Sequence, residues 1–199
     1  MVIFAREPKK GKVKTRLASR LSQTECLRLY KRFLRDTVSL ARNINCSRRI
    51  IAFDSDEQNP SFLKKIASDF GFYRQKGRYL GERMLDVFNA LAATDMKIVI
   101  IGSDSPGLPG SYISRAFDEL NKKDIVLGPA YDGGYYLIGL KKPCRAIFAG
   151  VKWGASSVFA QTLKKAKELK MKIAVLGSWY DIDTPQDLKY LQKGFSHEI

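Results

Sequence analysis

Basic side chains crowd the segment that follows the first apolar run of the chain. Residues 2–5 are apolar, and the segment after them combines Gly11 with five basic residues: Lys9, Lys10, Lys12, Lys14 and Arg16. Glycine lets the backbone come close to an anion, and lysine and arginine neutralise its charge. A strand that ends in such a loop holds it at a fixed point, so residues 1–17 predict a loop that binds nucleotide phosphates. A solvated run of charge is the alternative.

Asp104 lies in a constrained turn behind a second apolar run. Ile98–Ile101 is continuously apolar, which is typical of a central parallel strand covered on both faces. The turn 102–109, GSDSPGLP, holds two glycines and two prolines. Ligands of open α/β sheets bind at the carboxyl ends of such strands, and Mg²⁺ commonly takes one or two carboxylates there together with substrate phosphates. For Asp104 alone, a helix cap or turn aspartate is an equally good interpretation.

Two further carboxylates precede a helix predicted near the C-terminus. Thr184 suits the N-cap and Pro185 suits the first helical position. Since Thr184 and Asp187 already satisfy the cap, Asp181 and Asp183 are spare acids beside a helix N-terminus. We expect Asp183 to be a second metal ligand, and Asp181 to orient it or a neighbouring loop.

Residues 128–136, GPAYDGGYY, place paired glycines after an aspartate. Gly133 and Gly134 permit positive φ angles and the close approach of a ligand. The Asp–Gly pair between apolar runs is also a common hairpin signal, and for these residues alone the hairpin is the stronger interpretation. Trp153 offers an aromatic surface in a later loop, or else it belongs to the core.

Three familiar motifs are missing from the sequence. Residues 11–16, GKVKTR, resemble a P-loop, but that motif needs a glycine directly before its lysine, where Val13 stands. A P-loop ATPase is therefore excluded. The dinucleotide pattern G-x-G-x-x-G does not occur, and neither does the G-x-S-x-G of many serine hydrolases.

The composition fits a single domain spanning residues 1–199, with 45% hydrophobic residues to build its core. Lys and Arg number 35 against 20 Asp and Glu, and the net charge of +15 favours anionic ligands. The basic residues are widely spread, which argues against a nucleic-acid partner. Three cysteines without a CxxC pair argue against a zinc site. No apolar run approaches the about 18 residues of a membrane span, and we expect a cytoplasmic protein.

Short β-rich runs alternate with helical patterns, which predicts an α/β sheet. The runs are residues 2–5, 49–53, 97–102, 124–128, 135–140 and 172–176. A capping box of Ser22 and Glu25 predicts the start of the first helix. A second helix is predicted from residues 59–60 to residue 71, and apolar residues at helical spacing between 84 and 92 predict a third.

Together these segments resemble the nucleotide-diphospho-sugar transferase superfamily with the GT-A fold. Within it the chain is most similar to a bacterial family of glycosyltransferase-like or nucleotidyltransferase-like proteins, and more distantly to 2-phospholactate guanylyltransferase and the molybdenum-cofactor cytidylyl- and guanylyltransferases. The motifs that carry the resemblance are FAREPKKGKVKTRL at 4–17, LGERM at 80–84, IGSDSPGLP at 101–109, GPAYDGGYYLIGL at 128–140, Trp153, and DIDTPQDL at 181–188. The resemblance implies a three-layer α/β/α, Rossmann-like fold with a mixed, mostly parallel central sheet.

The resemblance also implies roles for particular residues. Asp104 and Asp183 would coordinate Mg²⁺, or Mn²⁺ in its place, and Asp104 would act in catalysis with Lys14 and Arg16. The residues expected to bind the nucleotide are Gly11, Lys14, Thr15, Arg16, Gln75, Gly81 and Arg83. The residues expected to bind the second substrate are Asp132, Gly133, Gly134 and Trp153.

One departure from the superfamily bears on the reaction. Many sugar transferases of this fold carry Asp-x-Asp after the central strand, whereas Pro106 stands at the second aspartate here. This favours a nucleotidyltransferase that uses a nucleoside triphosphate and a small phosphorylated acceptor and releases pyrophosphate. Glycosyl transfer from a nucleotide sugar is the alternative, and a nucleotide- or nucleic-acid-binding module without catalysis is a third. The sequence leaves the base, the acceptor and the oligomeric state open.

Overall fold

The computed structural model describes residues 1–56, 58–92 and 96–191. The strands are β1 (Val2–Arg6), β2 (Ile50–Asp54), β3 (Gly71–Arg74), β4 (Ile98–Ile101), β5 (Ile125–Pro129), β6 (Tyr135–Leu140) and β7 (Ile173–Val175). The α-helices are α1 (Gln23–Arg42), α2 (Ser61–Ile66), α3 (Leu80–Leu91), α4 (Gly110–Glu119) and α5 (Val158–Glu168). Short 3₁₀ helices cover Thr15–Leu17, Arg145–Ile147 and Pro185–Tyr190.

The seven strands form one mixed sheet in the order β3-β2-β1-β4-β6-β5-β7. Strand β6 runs antiparallel to β4 and β5, and the other neighbouring pairs are parallel. Strand β4 lies between β1 and β6, and all four of its residues are buried. The prediction of a central strand covered on both faces is therefore confirmed.

The alternation of side chains along the strands creates two cores, one on each face of the sheet. Ile3 and Ala5 of β1 belong to the core that also contains buried residues of α1, α2 and α4. Val2 points to the opposite face and joins buried residues of α3 and α5. Helices therefore cover both faces, which confirms the three-layer α/β/α prediction.

Local signals fixed the ends of several elements. Ser22 caps α1, and it exchanges hydrogen bonds with Glu25 in the predicted capping box. Near the C-terminus, the carboxylate of Asp187 accepts hydrogen bonds from the N–H and hydroxyl groups of Thr184. The helix that follows is a 3₁₀ helix, with Pro185 at its first position.

The helix predicted up to residue 71 is too long. Helix α2 ends at Ile66, because the backbone of Ala67 leaves the helical region, with φ −138° and ψ 46°. Gly71–Arg74 then forms β3, which pairs with β2 and lies at the edge of the sheet that the described strands form. The β-rich runs predicted from the sequence omit this strand, because only the apolar Phe72 and Tyr73 stand between the predicted helix end at residue 71 and the charged Arg74.

The strand order reverses between β1 and β4. The chain proceeds from β1 to β2 on one side, whereas β4 pairs with β1 on the other. Ligands of open α/β sheets bind in the crevice at such a point, outside the carboxyl ends of the strands. Within the described ranges, no helix has the length and apolar content needed to cross a membrane.

Candidate active site

A cavity of about 370 Å³ opens at this crevice, beyond the carboxyl ends of β1, β2 and β4. It is lined by seven of the residues predicted to form the site: Lys14, Thr15, Arg16, Gln75, Arg83, Asp104 and Asp183. The other predicted residues lie outside its lining: Gly11, Gly81, Asp132, Gly133, Gly134 and Trp153.

Three separate segments meet at the ammonium group of Lys14. Nζ of Lys14 lies 2.6 Å from Oδ1 of Asp104 and 2.8 Å from Oδ1 of Asp183. It also donates a hydrogen bond of 2.7 Å to the carbonyl oxygen of Ile182. The backbone links two of the segments directly, since the N–H of Ile182 donates to the carbonyl of Asp104 at 2.9 Å. The two predicted metal ligands therefore face one point.

Both the backbone and the surroundings hold Lys14 in place. Its backbone adopts the left-handed conformation, with φ 51° and ψ 36°, which is uncommon for a residue other than glycine. The side chain is only 4% exposed, and Nζ lies 6.0 Å from the ring centroid of Tyr30 and 5.6 Å from that of Phe33. Burial alone lowers the pKa of Lys14, but Asp104 and Asp183 outweigh it and raise the pKa above its usual value. Lys14 is therefore charged at neutral pH.

Asp181 links two of the segments that carry the site. Its carboxylate accepts a hydrogen bond from the hydroxyl of Ser105. Burial raises the pKa of Asp181 to about 7. The hydrogen bond from Ser105 lowers this pKa, and the negative charges of Asp104, Asp132 and Asp183 raise it. Asp181 thus ties the turn of Asp104 to the segment of Asp183.

The two carboxylates suit a hard divalent cation. Oδ1 of Asp104 is buried and receives no hydrogen bond from the described residues, although it contacts the charge of Lys14. The side chains of Asp104 and Asp183 are 39% and 41% exposed and line the cavity. Within the described residues, no group of three or more His, Cys, Asp or Glu side chains converges to hold a metal, here or elsewhere, so water and substrate would have to supply the other ligands. Mg²⁺ fits such a pair, because it usually keeps water and takes substrate phosphates as its remaining ligands.

Arg6 and Asp54 line the cavity, and the sequence analysis missed both. Oδ2 of Asp54 accepts hydrogen bonds from Nε and Nη2 of Arg6 at 3.1 and 2.8 Å, and it lies 3.0 Å from Nη1 of Arg83. Burial raises the pKa of Asp54, but the two guanidinium groups outweigh it and lower the pKa. The residues stand side by side because each ends a strand and the parallel register pairs them. Both residues directly follow or end a predicted β-rich run, and this position was the sequence signal that could have identified them.

Tyr30 and Gln75 fix the walls of the cavity through the backbone. The hydroxyl of Tyr30 accepts a hydrogen bond from the N–H of Arg6 at 2.9 Å and lies 3.2 Å from the hydroxyl of Ser103. Burial raises the pKa of Tyr30 to about 12, so it stays protonated. Nε2 of Gln75 donates to the carbonyl of Ala52 at 2.7 Å. Gln75 is thereby positioned with its side chain at the cavity.

Asp132, Gly133 and Gly134 form the turn between β5 and β6. Oδ1 of Asp132 accepts a hydrogen bond from the N–H of Gly134 at 2.8 Å. Gly133 has φ +89°, and a Cβ there would lie 1.8 Å from the carbonyl oxygen of Ser156. Its own carbonyl accepts a hydrogen bond from Phe159 at 2.9 Å. Gly133 therefore has a structural reason to be glycine, and the role of the turn in binding a second substrate stays a prediction.

Gly81 and Trp153 pack against each other. A Cβ on Gly81 would lie 2.2 Å from the indole ring, and Trp153 also contacts Phe148, with 6.3 Å between ring centroids. Gly11 lies in the exposed part of the loop after β1, with φ +74°. The binding roles of Gly11, Gly81 and Trp153 stay predictions.

The strand order and the position of the cavity define the class of the protein. A candidate nucleotide-diphospho-sugar transferase from Desulfovibrio desulfuricans G20 superimposes with a TM-score of 0.88 and 31% identity, over 98% of this chain and 88% of that one. The protein is a transferase with the fold of the nucleotide-diphospho-sugar transferases. The chain belongs to the family described as "Uncharacterized protein conserved in bacteria (DUF2064)", whose model matches residues 37–155.

Two other relatives extend the comparison. The 2-phospho-L-lactate guanylyltransferase of Methanothermobacter thermautotrophicus is 26% identical over 180 residues, which cover 88% of this chain and 76% of the relative. A protein from Mycobacterium tuberculosis H37Rv, solved in complex with manganese, is 13% identical and has a TM-score of 0.61, over 96% of this chain and 97% of that one. The second likeness shows a shared fold.

Proposed function

We propose that this protein is a Mg²⁺-dependent nucleotidyltransferase of a single domain that transfers a nucleotide to a small phosphorylated acceptor. The observation that carries the proposal is the meeting of Lys14, Asp104 and Asp183 at the carboxyl edge of the sheet. The 26% identity to a guanylyltransferase supports nucleotidyl transfer and makes GTP the first nucleotide to test.

In the proposed reaction, a phosphate oxygen of the acceptor attacks the α-phosphorus of the triphosphate. The new P–O bond forms while the bond from the α-phosphorus to the bridging oxygen breaks, and its electron pair leaves with pyrophosphate. Lys14 and Arg16 neutralise charge that builds up on the α-phosphate and the leaving group. Both residues, with Thr15 between them, line the cavity. Positioning and charge carry such chemistry, so no further catalytic group is required.

The metal site of the proposal consists of Asp104 and Asp183. When bound, a divalent cation supplies positive charge to phosphate oxygens and helps to align them. Asp181 keeps the two segments together through Ser105. Mn²⁺ is a suitable probe because it takes the same oxygen ligands and is paramagnetic.

The remaining roles follow the geometry of the cavity. Gln75 and Arg83 contact the base or ribose, with Arg83 oriented by Asp54. Gly11 gives the phosphate loop its turn, and Gly81 lets α3 pack closely against Trp153. The acceptor approaches from the β5–β6 turn, where Asp132 lies close enough to influence Asp181. Gly133 and Gly134 shape that approach.

A glycosyltransferase that uses a nucleotide sugar is the second candidate. It is favoured by the 31% identity to a candidate nucleotide-diphospho-sugar transferase over most of both chains. In this reaction the same cavity would hold a nucleoside diphosphate as the leaving group. Asp132 would then act as base on an acceptor hydroxyl.

Product analysis separates the two reactions. The purified protein is incubated with Mg²⁺ and each nucleoside triphosphate, or each nucleotide sugar, together with a panel of small phosphorylated acids and alcohols. Pyrophosphate release that requires both a triphosphate and an acceptor supports nucleotidyl transfer. Release of a nucleoside diphosphate from a sugar donor, without pyrophosphate, contradicts it and supports the alternative.

A further inference from the structure

The carboxylates of the proposed metal site already hold a cation that belongs to the protein. Oxygen atoms of Asp104, Asp183 and Ile182 surround Nζ of Lys14 at 2.6, 2.8 and 2.7 Å. An ammonium group has three N–H donors and no acceptor; Asp183 and Ile182 accept hydrogen bonds from it, and Asp104 forms an ion pair with it. The rings of Tyr30 and Phe33 face the same nitrogen. The lysine therefore occupies an enclosed cation site at the floor of the cavity.

We infer that Lys14 keeps divalent cations out of this site until a nucleotide binds, and that the nucleotide phosphates draw the lysine away and admit the metal. The inference rests on the proposed function, since it concerns the same cavity. Lys14 is then exchanged between two sets of anionic oxygens: the carboxylates in the free protein, and the phosphates in the complex.

Charge is the physical reason for the exchange. A divalent cation between Asp104 and Asp183 would lie beside the ammonium group, and two positive charges in a partly buried site repel each other strongly. A triphosphate brings several negative charges, which can hold both the lysine and the metal. The flexible four-carbon stem of Lys14 permits a change of partner without movement of the backbone.

Linkage gives the inference a measurable form. If the nucleotide raises the affinity for the metal, the metal must raise the affinity for the nucleotide by the same factor, and such factors are typically about 5–150-fold. If the charge of Lys14 is removed, the affinity of the site for the metal should therefore no longer depend on whether the nucleotide is bound.

The test measures binding of Mn²⁺ alone by the loss of its free EPR signal, without nucleotide and without turnover. Lys14→Met retains the length of the side chain and removes its charge, and Lys65→Met is the matched control because Lys65 is an exposed lysine of α2 that does not line the cavity. We expect Lys14→Met to bind Mn²⁺ at least about tenfold more tightly than wild type, within the usual range of coupling. Lys65→Met should bind Mn²⁺ as wild type does.

Equal Mn²⁺ affinity in wild type and Lys14→Met would overturn the inference. Weaker Mn²⁺ binding by the variant would also overturn it, because that is the result expected if the lysine only holds the two carboxylates in position. A second measurement needs wild type alone: Mn²⁺ should raise the Tm in the presence of α,β-methylene-GTP and leave it unchanged by itself. An equal rise without the analogue contradicts the exchange even if Lys14→Met does not fold. Tighter Mn²⁺ binding by the variant, in a protein that releases no pyrophosphate, would support the exchange and reject the proposed reaction.

Discussion

The ammonium group of Lys14 lies 2.8 Å from the carboxylate of Asp183, although 169 residues separate them in the chain. This contact joins the loop after the first strand to the segment before the last 3₁₀ helix. Asp104 meets the same ammonium group from the turn after β4. One lysine thus gathers the ends of three segments into the floor of a single cavity.

Gly133 should matter to stability, and its neighbour Gly134 should matter less. Gly133→Ala places a Cβ 1.8 Å from the backbone oxygen of Ser156 at a residue with φ +89°, so we expect a loss of about 1–3 kcal/mol or more in the free energy of unfolding. A Cβ on Gly134 would meet only the Asp132 side chain, at 3.2 Å. Urea denaturation of both variants provides the measurement. Equal losses for the two variants would show that packing against Ser156 is not the reason for the first glycine.

Gly81→Ala should destabilise the protein although alanine is the better helix former. Alanine gains at most about 0.5–1 kcal/mol over glycine within a helix, and less at the second residue of α3, whereas this Cβ would lie 2.2 Å from the ring of Trp153. We expect a net loss of about 1–3 kcal/mol from overpacking. The double variant with Trp153→Leu should recover part of it, with a coupling of about 0.5–3 kcal/mol in thermal or urea unfolding. A Gly81→Ala protein more stable than wild type would contradict the packing.

Asp54→Asn should weaken the binding of the nucleotide more than it affects turnover. The carboxylate holds both Arg6 and Arg83 at the cavity, and the amide removes the charge that orients them. Because the pair is partly exposed, the stability should change by no more than about 1 kcal/mol. Steady-state kinetics should give a higher KM for the nucleotide at nearly unchanged kcat. Arg42→Ala, which breaks the exposed pair with Asp69, is the control and should leave KM unaltered. A fall in kcat at unchanged KM would contradict this prediction and would indicate that Asp54 acts in the chemical step.

Much of the fold could be predicted from short-range patterns. The continuous apolar run Ile98–Ile101 predicted the central strand, and the capping box of Ser22 and Glu25 predicted the start of α1. Strand β3 was missed because its only apolar residues, Phe72 and Tyr73, directly follow a helix that was predicted to reach residue 71. The boundary of α2 escaped because the backbone of Ala67, and not a proline or glycine, ends the helix.

The candidate site could be predicted where both the residue type and its position relative to a predicted strand or helix indicated a function. Lys14 and Asp104 lie in loops that follow predicted strands, and Asp183 precedes the predicted N-cap Thr184. The local structure does not require a charged side chain at any of the three positions. Arg6 and Asp54 were missed because their meaning depends on the pairing of β1 with β2, which no local pattern reveals. The resemblance placed Gly81 with the nucleotide and Trp153 with the second substrate, and no sequence pattern indicated that the two residues pack against each other.

The rate of pyrophosphate release by Lys14→Met and Asp104→Asn tests the central claim most directly. The rate of each variant should fall by about 100-fold or more relative to wild type, because each substitution removes a charge aimed at the phosphates or at their cation. Lys65→Met, on the exposed side of α2, should keep the wild-type rate. Circular dichroism and unfolding curves establish that the variants are folded. Wild-type rates in folded Lys14→Met and Asp104→Asn would contradict the assignment of this cavity as the active site.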